Sequence, residues 1–113
     1  MPFIDCRVSV KLTEENKEKL KAGFGRAATC LHKTEGYLMV GFADGYDLYF
    51  GGEKQEKGAY VSVSLFGSAS PADYERMTGE ICALLARELG IPGKSVYVTY
   101  HGVADWGWNG SNF

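Results

Sequence analysis

The feature with most chemical consequence is a proline at position 2, directly behind the initiator methionine. Initiator methionine is generally removed when the next residue is small, and proline qualifies, so the mature chain is expected to begin at Pro2. The proline nitrogen then becomes a free secondary amine. An α-amino group titrates near about 7.7–8.0. Burial or a neighbouring lysine ammonium disfavours its charged form and lowers that value. An amine that is neutral at pH 7 works as a general base. Pro2 also has a purely structural use, because a proline at the head of a strand forgoes an N–H at little cost. With Met1 retained, Pro2 is an amide nitrogen without a usable lone pair, and such a preparation is expected to be inactive. The thiols offer no competing chemistry. Cys6, Cys30 and Cys82 are odd in number and spaced 24 and 52 apart, which leaves neither a CxxC pair nor zinc-ligand spacing. They read as buried structural thiols of a reducing compartment.

A strand must position Pro2, and the pattern supplies one. From Pro2 to Val10, Ile4, Cys6, Val8 and Val10 alternate with Asp5, Arg7 and Ser9. Thr13 then reads as a helix N-cap, with Glu14 and Glu15 in the first turn. Leu20, Phe24, Ala27, Ala28 and Leu31 form one apolar stripe, backed by a solvated face of Lys17, Glu18, Lys19 and Lys21. Tyr37–Phe42 reads as a second strand, followed by an Asp44-Gly45 turn and a short strand around Leu48–Phe50. The pattern restarts at Ala59–Phe66, again alternating. Ser70-Pro71 with Asp73 opens a second helix whose stripe is Tyr74, Met77, Ile81, Leu84 and Leu85, and Gly90 with Pro92 stops it. Ser95–His101 closes the set.

The two halves repeat. First strands begin at 2 and 59, helices at 13 and 70, second strands at 37 and 95, offsets of 57, 57 and 58. The expected fold is therefore α+β: one domain over residues 1–113, made of tandem β-α-β units at about 2–50 and 59–101 with a tail over 102–113. Right-handed crossovers would place both helices on one face of a single four-stranded sheet. The other face, carrying Arg7, Tyr60, Ser62, Ser64, Tyr97, Thr99 and His101, would stay open. Sheets with parallel strands are normally covered on both faces, so a partner subunit or a wet interior between subunits is expected there.

Composition narrows the function classes. A chain of 113 residues holds one core, and 45% hydrophobic with 23% charged residues is ordinary globular usage. A net charge of −2 supplies no basic footprint for nucleic acid and no cationic face for a membrane. Asp5, Arg7 and Lys11 interrupt what would be a signal peptide's apolar core, and no apolar run nears the ~20 residues of a membrane span. The chain is expected to be cytoplasmic, with any secretion proceeding without a signal peptide. Fifteen glycines, about 13% against a usual ~7%, and 13% aromatic residues stand out.

The opening Met1-Pro2-Phe3-Ile4, the step Phe50-Gly51-Gly52, the run Ser95-Val96-Tyr97-Val98 and the ending Trp108-Asn109-Gly110-Ser111-Asn112-Phe113 together carry a resemblance. End to end, the sequence resembles the macrophage migration inhibitory factor and D-dopachrome tautomerase family, within the tautomerase superfamily. The resemblance implies a homotrimer whose three sheets surround a solvent channel. It also implies cofactor-independent keto–enol tautomerisation of phenylpyruvate or dopachrome type, with the N-terminal proline moving the proton. On that resemblance, Lys33 would hold a carboxylate or carbonyl oxygen and keep the Pro2 amine neutral. Phe66 would present a backbone N–H to substrate oxygen, with Gly67 following it. Tyr97 would come from the neighbouring subunit, and Tyr37, Trp106 and Phe113 would wall the pocket around a small aromatic α-keto acid. Trp108 is assigned to packing between subunits.

Some positions depart from the family pattern. Gly58-Ala59-Tyr60-Val61 stands where some members carry CxxC, so no thiol–disulfide activity carries over. Thr99, Ser64 and Trp106 replace the usual asparagine, histidine and valine, and bear on substrate preference. Two functions follow from the resemblance: an enzyme, or a cytokine-like binding trimer that engages a protein receptor with its pocket secondary. A nucleic-acid-binding split β-α-β domain is disfavoured by the negative charge.

Overall fold

Alternation at the start of the chain becomes a strand whose every second residue is buried. The computed structural model describes all 113 residues and begins with β1 (Pro2–Val8), in which Pro2, Ile4, Cys6 and Val8 face inward. The strand stops two residues short of the expected Val10. Beyond it the Ser9 N–H still bonds Gly58 O at 3.1 Å, but β5 begins only at Ala59, and the Ser9 hydroxyl accepts a 2.8 Å bond from the Gly58 N–H while donating to Glu56 O at 3.0 Å. Helix α1 (Glu14–Ala27) starts as expected at Thr13, with a reciprocal cap: Thr13 Oγ1 accepts from Asn16 N–H and Asn16 Oδ1 accepts from Thr13 N–H. Such a cap contributes about 1 kcal/mol. Ala28 and Leu31 continue the buried stripe, although in a tighter 3₁₀ turn.

The second strand, β2, spans Met39–Ala43 instead of the expected Tyr37–Phe42. Phe3 is the first β1 residue with a partner in β2, opposite Met39. Upstream of Phe3, Pro2 has no N–H to give the ladder, and Tyr37 instead closes a 3₁₀ turn over Glu35–Tyr37. The expected short strand around Leu48–Phe50 is β3 (Tyr49–Phe50), which folds onto β4 (Glu53–Lys54) through Gly51 and Gly52 at φ 59° and 84°. Positive φ at both loop residues defines a type I′ hairpin, which side chains other than Asn, Asp and Gly strain.

The second unit follows its pattern closely. β5 (Ala59–Phe66) leads to α2 (Pro71–Leu89), which Ser70 caps and left-handed Gly90 terminates. β6 (Val96–Val103) runs two residues beyond the expected His101, because β5 supplies partners as far as Phe66, opposite Val103. A last hairpin, β7 (Gly107–Trp108) with β8 (Ser111–Asn112), turns through Asn109 and Gly110, also both at positive φ.

The sheet order is β2-β1-β5-β6. β1 pairs β2 in parallel, β5 pairs β6 in parallel, and the two β-α-β units join through antiparallel β1 and β5. Both helices cover one face. Ile4, Cys6, Val8, Val61, Val63 and Leu65 from the sheet form one cluster with Leu20, Phe24, Met77, Ile81, Leu84 and Leu85 from the helices. Burial, then the Asp5 charge, pushes the Cys6 thiol up to about 12, so it is an inert packing group. All three cysteines are free.

The helices touch at Gly23, where a Cβ would lie 2.4 Å from the Leu84 side chain. Gly79, exposed on α2, has open space around it. Replacing glycine by alanine in a helix interior gains about 1 kcal/mol of propensity, but overpacking a core contact costs about 1–3 kcal/mol. Gly79→Ala is therefore expected to raise the thermal midpoint by a few degrees and Gly23→Ala to lower it, as read by calorimetry.

Candidate functional site

Pro2 heads β1 opposite Leu65, with its side chain fully buried. This register brings the chain's first peptide alongside the end of β5. The Phe66 N–H donates to Met1 O at 2.9 Å, and the Phe66 carbonyl accepts from Lys33 Nζ at 3.2 Å. One backbone residue thus connects the N-terminus to the lysine. The chain can turn away after Phe66 because Gly67 has φ 83°, and its N–H is held by Val103 O at 2.9 Å. Gly102 allows that approach, since a Cβ there would sit 2.6 Å from Gly67 O.

The α-amine of Met1 is lowered below the ordinary value by burial and then by the Lys33 ammonium. Both effects disfavour the charged amine. Lys33 is placed by the turn after α1. Lys33 N–H bonds Ala28 O at 3.2 Å, and left-handed His32 redirects the chain toward the sheet.

Beside the N-terminus lies a cleft of about 660 Å³, lined by Met1, Pro2, Tyr37, Ser64, Trp106 and Trp108 among others. Its outer wall is a run of rings. Tyr37 meets Trp108 edge-on at 5.6 Å, Trp108 stacks on Phe113 at 6.1 Å, and Phe113 tilts against Phe66 at 5.8 Å. Each such pair contributes about 0.5–1.5 kcal/mol beyond area burial. The Phe113 N–H to Trp106 O bond, 3.1 Å, closes the tail on itself.

Of the residues singled out in the sequence, Pro2, Tyr37 and Trp106 line the cleft directly. Lys33, Phe66 and Phe113 flank it through the contacts above. Tyr97 does not join them. It pairs in register with Tyr60, five residues along β5 from Leu65, a separation of roughly 17 Å at ~3.4 Å per residue. There it packs on Phe50 at 5.2 Å and lines a small separate groove with Tyr49, Gln55 and Tyr60. Within one chain Trp108, expected in subunit packing, is half exposed and stands in the cleft wall, because the type I′ turn at Asn109-Gly110 folds the tail back. The Asn-Gly pair between Trp108 and Ser111 was the available signal for that hairpin.

The uncovered sheet face is polar. Arg7 pairs with Asp5 at 3.1 Å and donates to Tyr46 OH at 3.1 Å. Tyr60 OH and Thr99 Oγ1 lie 2.7 Å apart, and His101 Nε2 lies 3.2 Å from the same threonine oxygen. No three His, Cys, Asp or Glu side chains are grouped to hold a metal ion. No helix is long and apolar enough to cross a membrane.

Residues 1–113 match the family model for macrophage migration inhibitory factor (MIF). No curated protein matches on sequence. Among solved structures, Leishmania major MIF2 is 36% identical with a TM-score of 0.93, covering 100% of this chain and 97% of that one. A MIF homologue from Prochlorococcus marinus is 28% identical with a TM-score of 0.88, covering 98% of each chain. A fused 4-OT symmetric trimer shares the fold at a TM-score of 0.84, with 17% identity over 96% of this chain and 93% of that one. A whole-chain family match, a closely superposed relative above 30% identity and the fold derived above agree: the chain belongs to the macrophage migration inhibitory factor family, in the tautomerase superfamily.

Proposed function

We propose that this chain, processed to begin at Pro2, is a cofactor-independent keto–enol tautomerase acting on small aromatic α-keto acids. The observation that carries the reading is the position of the Met1 carbonyl. It sits one bond from the Pro2 nitrogen and accepts the Phe66 N–H at 2.9 Å, while the Met1 amine is close enough to Lys33 to feel its charge. The Met1 carbonyl oxygen stands in for a substrate oxygen. Removal of Met1 converts Pro2 to a secondary amine and frees the Phe66 donor in the same spot.

The chemistry follows from that placement. The substrate ring stacks among Tyr37, Trp106 and Trp108, and its keto or carboxylate oxygens meet the Lys33 ammonium and the Phe66 N–H. The neutral Pro2 amine takes a proton from the carbon next to the carbonyl. Negative charge gathers on the oxygen, where these donors hold it, and protonated Pro2 delivers the proton to that oxygen to give the enol; in the opposite direction it takes the enol proton and delivers it to carbon. A cation close by keeps the amine neutral and stabilises the enolate, so Lys33 serves both ends of the transfer.

A second copy completes the site in this reading. Tyr97 is too far from Pro2 within one chain, yet its aromatic groove lies at the opposite end of the same sheet. Two different patches at opposite ends make a head-to-tail contact, and such contacts form a ring where the rotation between copies closes. β2 and β6 are both sheet edges without partners, and edges of this kind are normally covered. A homotrimer satisfies all three features.

Ultraviolet assay of phenylpyruvate tautomerisation tests the base, with intact mass confirming loss of Met1. Pro2→Gly is expected to lose roughly 10²–10⁴-fold in kcat/KM, and a correctly processed chain without activity would overturn the reading. The pH profile of kcat/KM should rise through a midpoint below the ordinary α-amine range of about 7.7–8.0. Lys33→Met removes the charge that disfavours the protonated amine, so its rising limb should move to higher pH while KM increases. For the shared site, Pro2→Gly and Tyr97→Ala chains co-refolded together should recover part of the activity that each lacks alone. No recovery, or a monomer by light scattering, would contradict the shared site.

A further inference from the structure

His32 takes no part in the chemistry above, yet its backbone adopts a conformation its residue type disfavours. Its φ and ψ are 60° and 32°, and the only other non-glycine residue at positive φ is Asn109 in the last hairpin. His32 ends the Ala28–Leu31 turn in a Schellman arrangement, with His32 N–H on Thr29 O at 3.0 Å and Lys33 N–H on Ala28 O at 3.2 Å. Glycine is the usual occupant of that position because a Cβ crowds the following carbonyl. A side-chain contact can offset the crowding at His32.

The offsetting contact lies across the molecule, 41 residues along the chain. His32 Nε2 is 3.3 Å from Asp73 Oδ2 in the first turn of α2. The histidine side chain is 76% exposed but the aspartate only 13%, so the carboxylate is a sheltered anchor and the imidazole a strap reaching to it. Asp73 is itself fixed. Its N–H bonds Ser70 Oγ at 3.1 Å as part of the helix cap, and Arg76 holds its other oxygen. One peptide further on, Lys33 extends in another direction to Phe66 O at 3.2 Å. The turn is therefore secured at two adjacent residues, once to the helix layer and once to the sheet end.

We propose that His32 is a positioning residue for Lys33: its bond to Asp73 locks the left-handed turn and so fixes where the lysine ammonium sits in the cleft. The functional consequence rests on the reading of Lys33 as the group that holds a substrate oxygen. Losing the strap leaves Lys33 present but less localised, which weakens substrate binding without removing the base. Because Lys33 also holds the charge that gathers on the oxygen, loosening it lowers kcat as well as raising KM, and the loss is read in kcat/KM.

Three variants separate the strap from the shape of the turn. His32→Gly and His32→Asn both tolerate left-handed φ and cannot reach Asp73, whereas His32→Ala loses the strap and keeps the crowding. All three should lower kcat/KM for phenylpyruvate roughly two- to fivefold, the scale of one largely exposed hydrogen bond, and should move the rising limb of its pH profile in the same direction as Lys33→Met. Acetylation of Lys33 by an N-hydroxysuccinimide ester, followed by mass spectrometry, should accelerate by a similar factor, and this readout needs no turnover. His32→Ala should also have the lowest thermal midpoint. Wild-type kcat/KM and wild-type Lys33 labelling in His32→Gly would overturn the proposal. Faster labelling in the variants of a wild type that shows no turnover would uphold the strap and sink the tautomerase reading instead.

Discussion

The antiparallel register that sets Pro2 opposite Leu65 is the constraint on which the rest of the molecule depends. It joins two parallel β-α-β units into one four-stranded sheet. It also decides where the N-terminus goes. A slip by one residue would turn Ile4, Cys6 and Val8 out of the core and would carry the first peptide away from Phe66. Fold stability and the placement of the candidate base are therefore one requirement. Core burial holds the register, and the register holds the amine beside a backbone donor and a lysine.

What was legible in the sequence was whatever local chemistry dictates. Thr13 and Ser70 have hydroxyls that satisfy helix N–H groups, Gly90 accepts the left-handed exit, and strict alternation marks Ala59–Phe66; each is where its residues alone place it. What was not legible was set by distant partners. Tyr37 looks like strand but lies before Met39, where pairing with β1 begins beyond the N–H-less Pro2, so it turns out of the sheet and into the cleft wall. The opposite edge of the sheet shows the converse, where Val103 is strand only because Phe66 lies opposite. Trp108 reaches the cleft through a fold-back that the Asn109-Gly110 pair signals, although its landing place depends on stacking with Tyr37 and Phe113.

The excess of rings and glycines acquires a common explanation. A core of 16 buried residues admits one aromatic ring, Phe24. Phe42, Tyr74 and Tyr100 pack partly buried against it, and many of the rest gather at the two ends of the sheet, with Tyr37, Trp106, Trp108 and Phe113 around Pro2, and Tyr49, Phe50 and Tyr97 at the far end. Both hairpins that carry these rings turn on residues at positive φ: Gly51 with Gly52, and Asn109 with Gly110. Glycine thus serves the short turns that project aromatic side chains, while Gly67 and Gly102 let two backbones meet beside the Phe66 donor. Polar side chains on the open sheet face find partners among themselves, and no buried side-chain polar atom is left unpaired.

The central claim is that the environment at the head of β1 keeps the N-terminal amine neutral near pH 7. Titration of the ¹⁵N-labelled Pro2 nitrogen by NMR, on protein shown by mass to lack Met1, tests it directly. The account predicts a midpoint below the ordinary α-amine range of about 7.7–8.0. A midpoint within or above that range would contradict it, because Pro2 would then be largely protonated at neutral pH and unfit to act as the base.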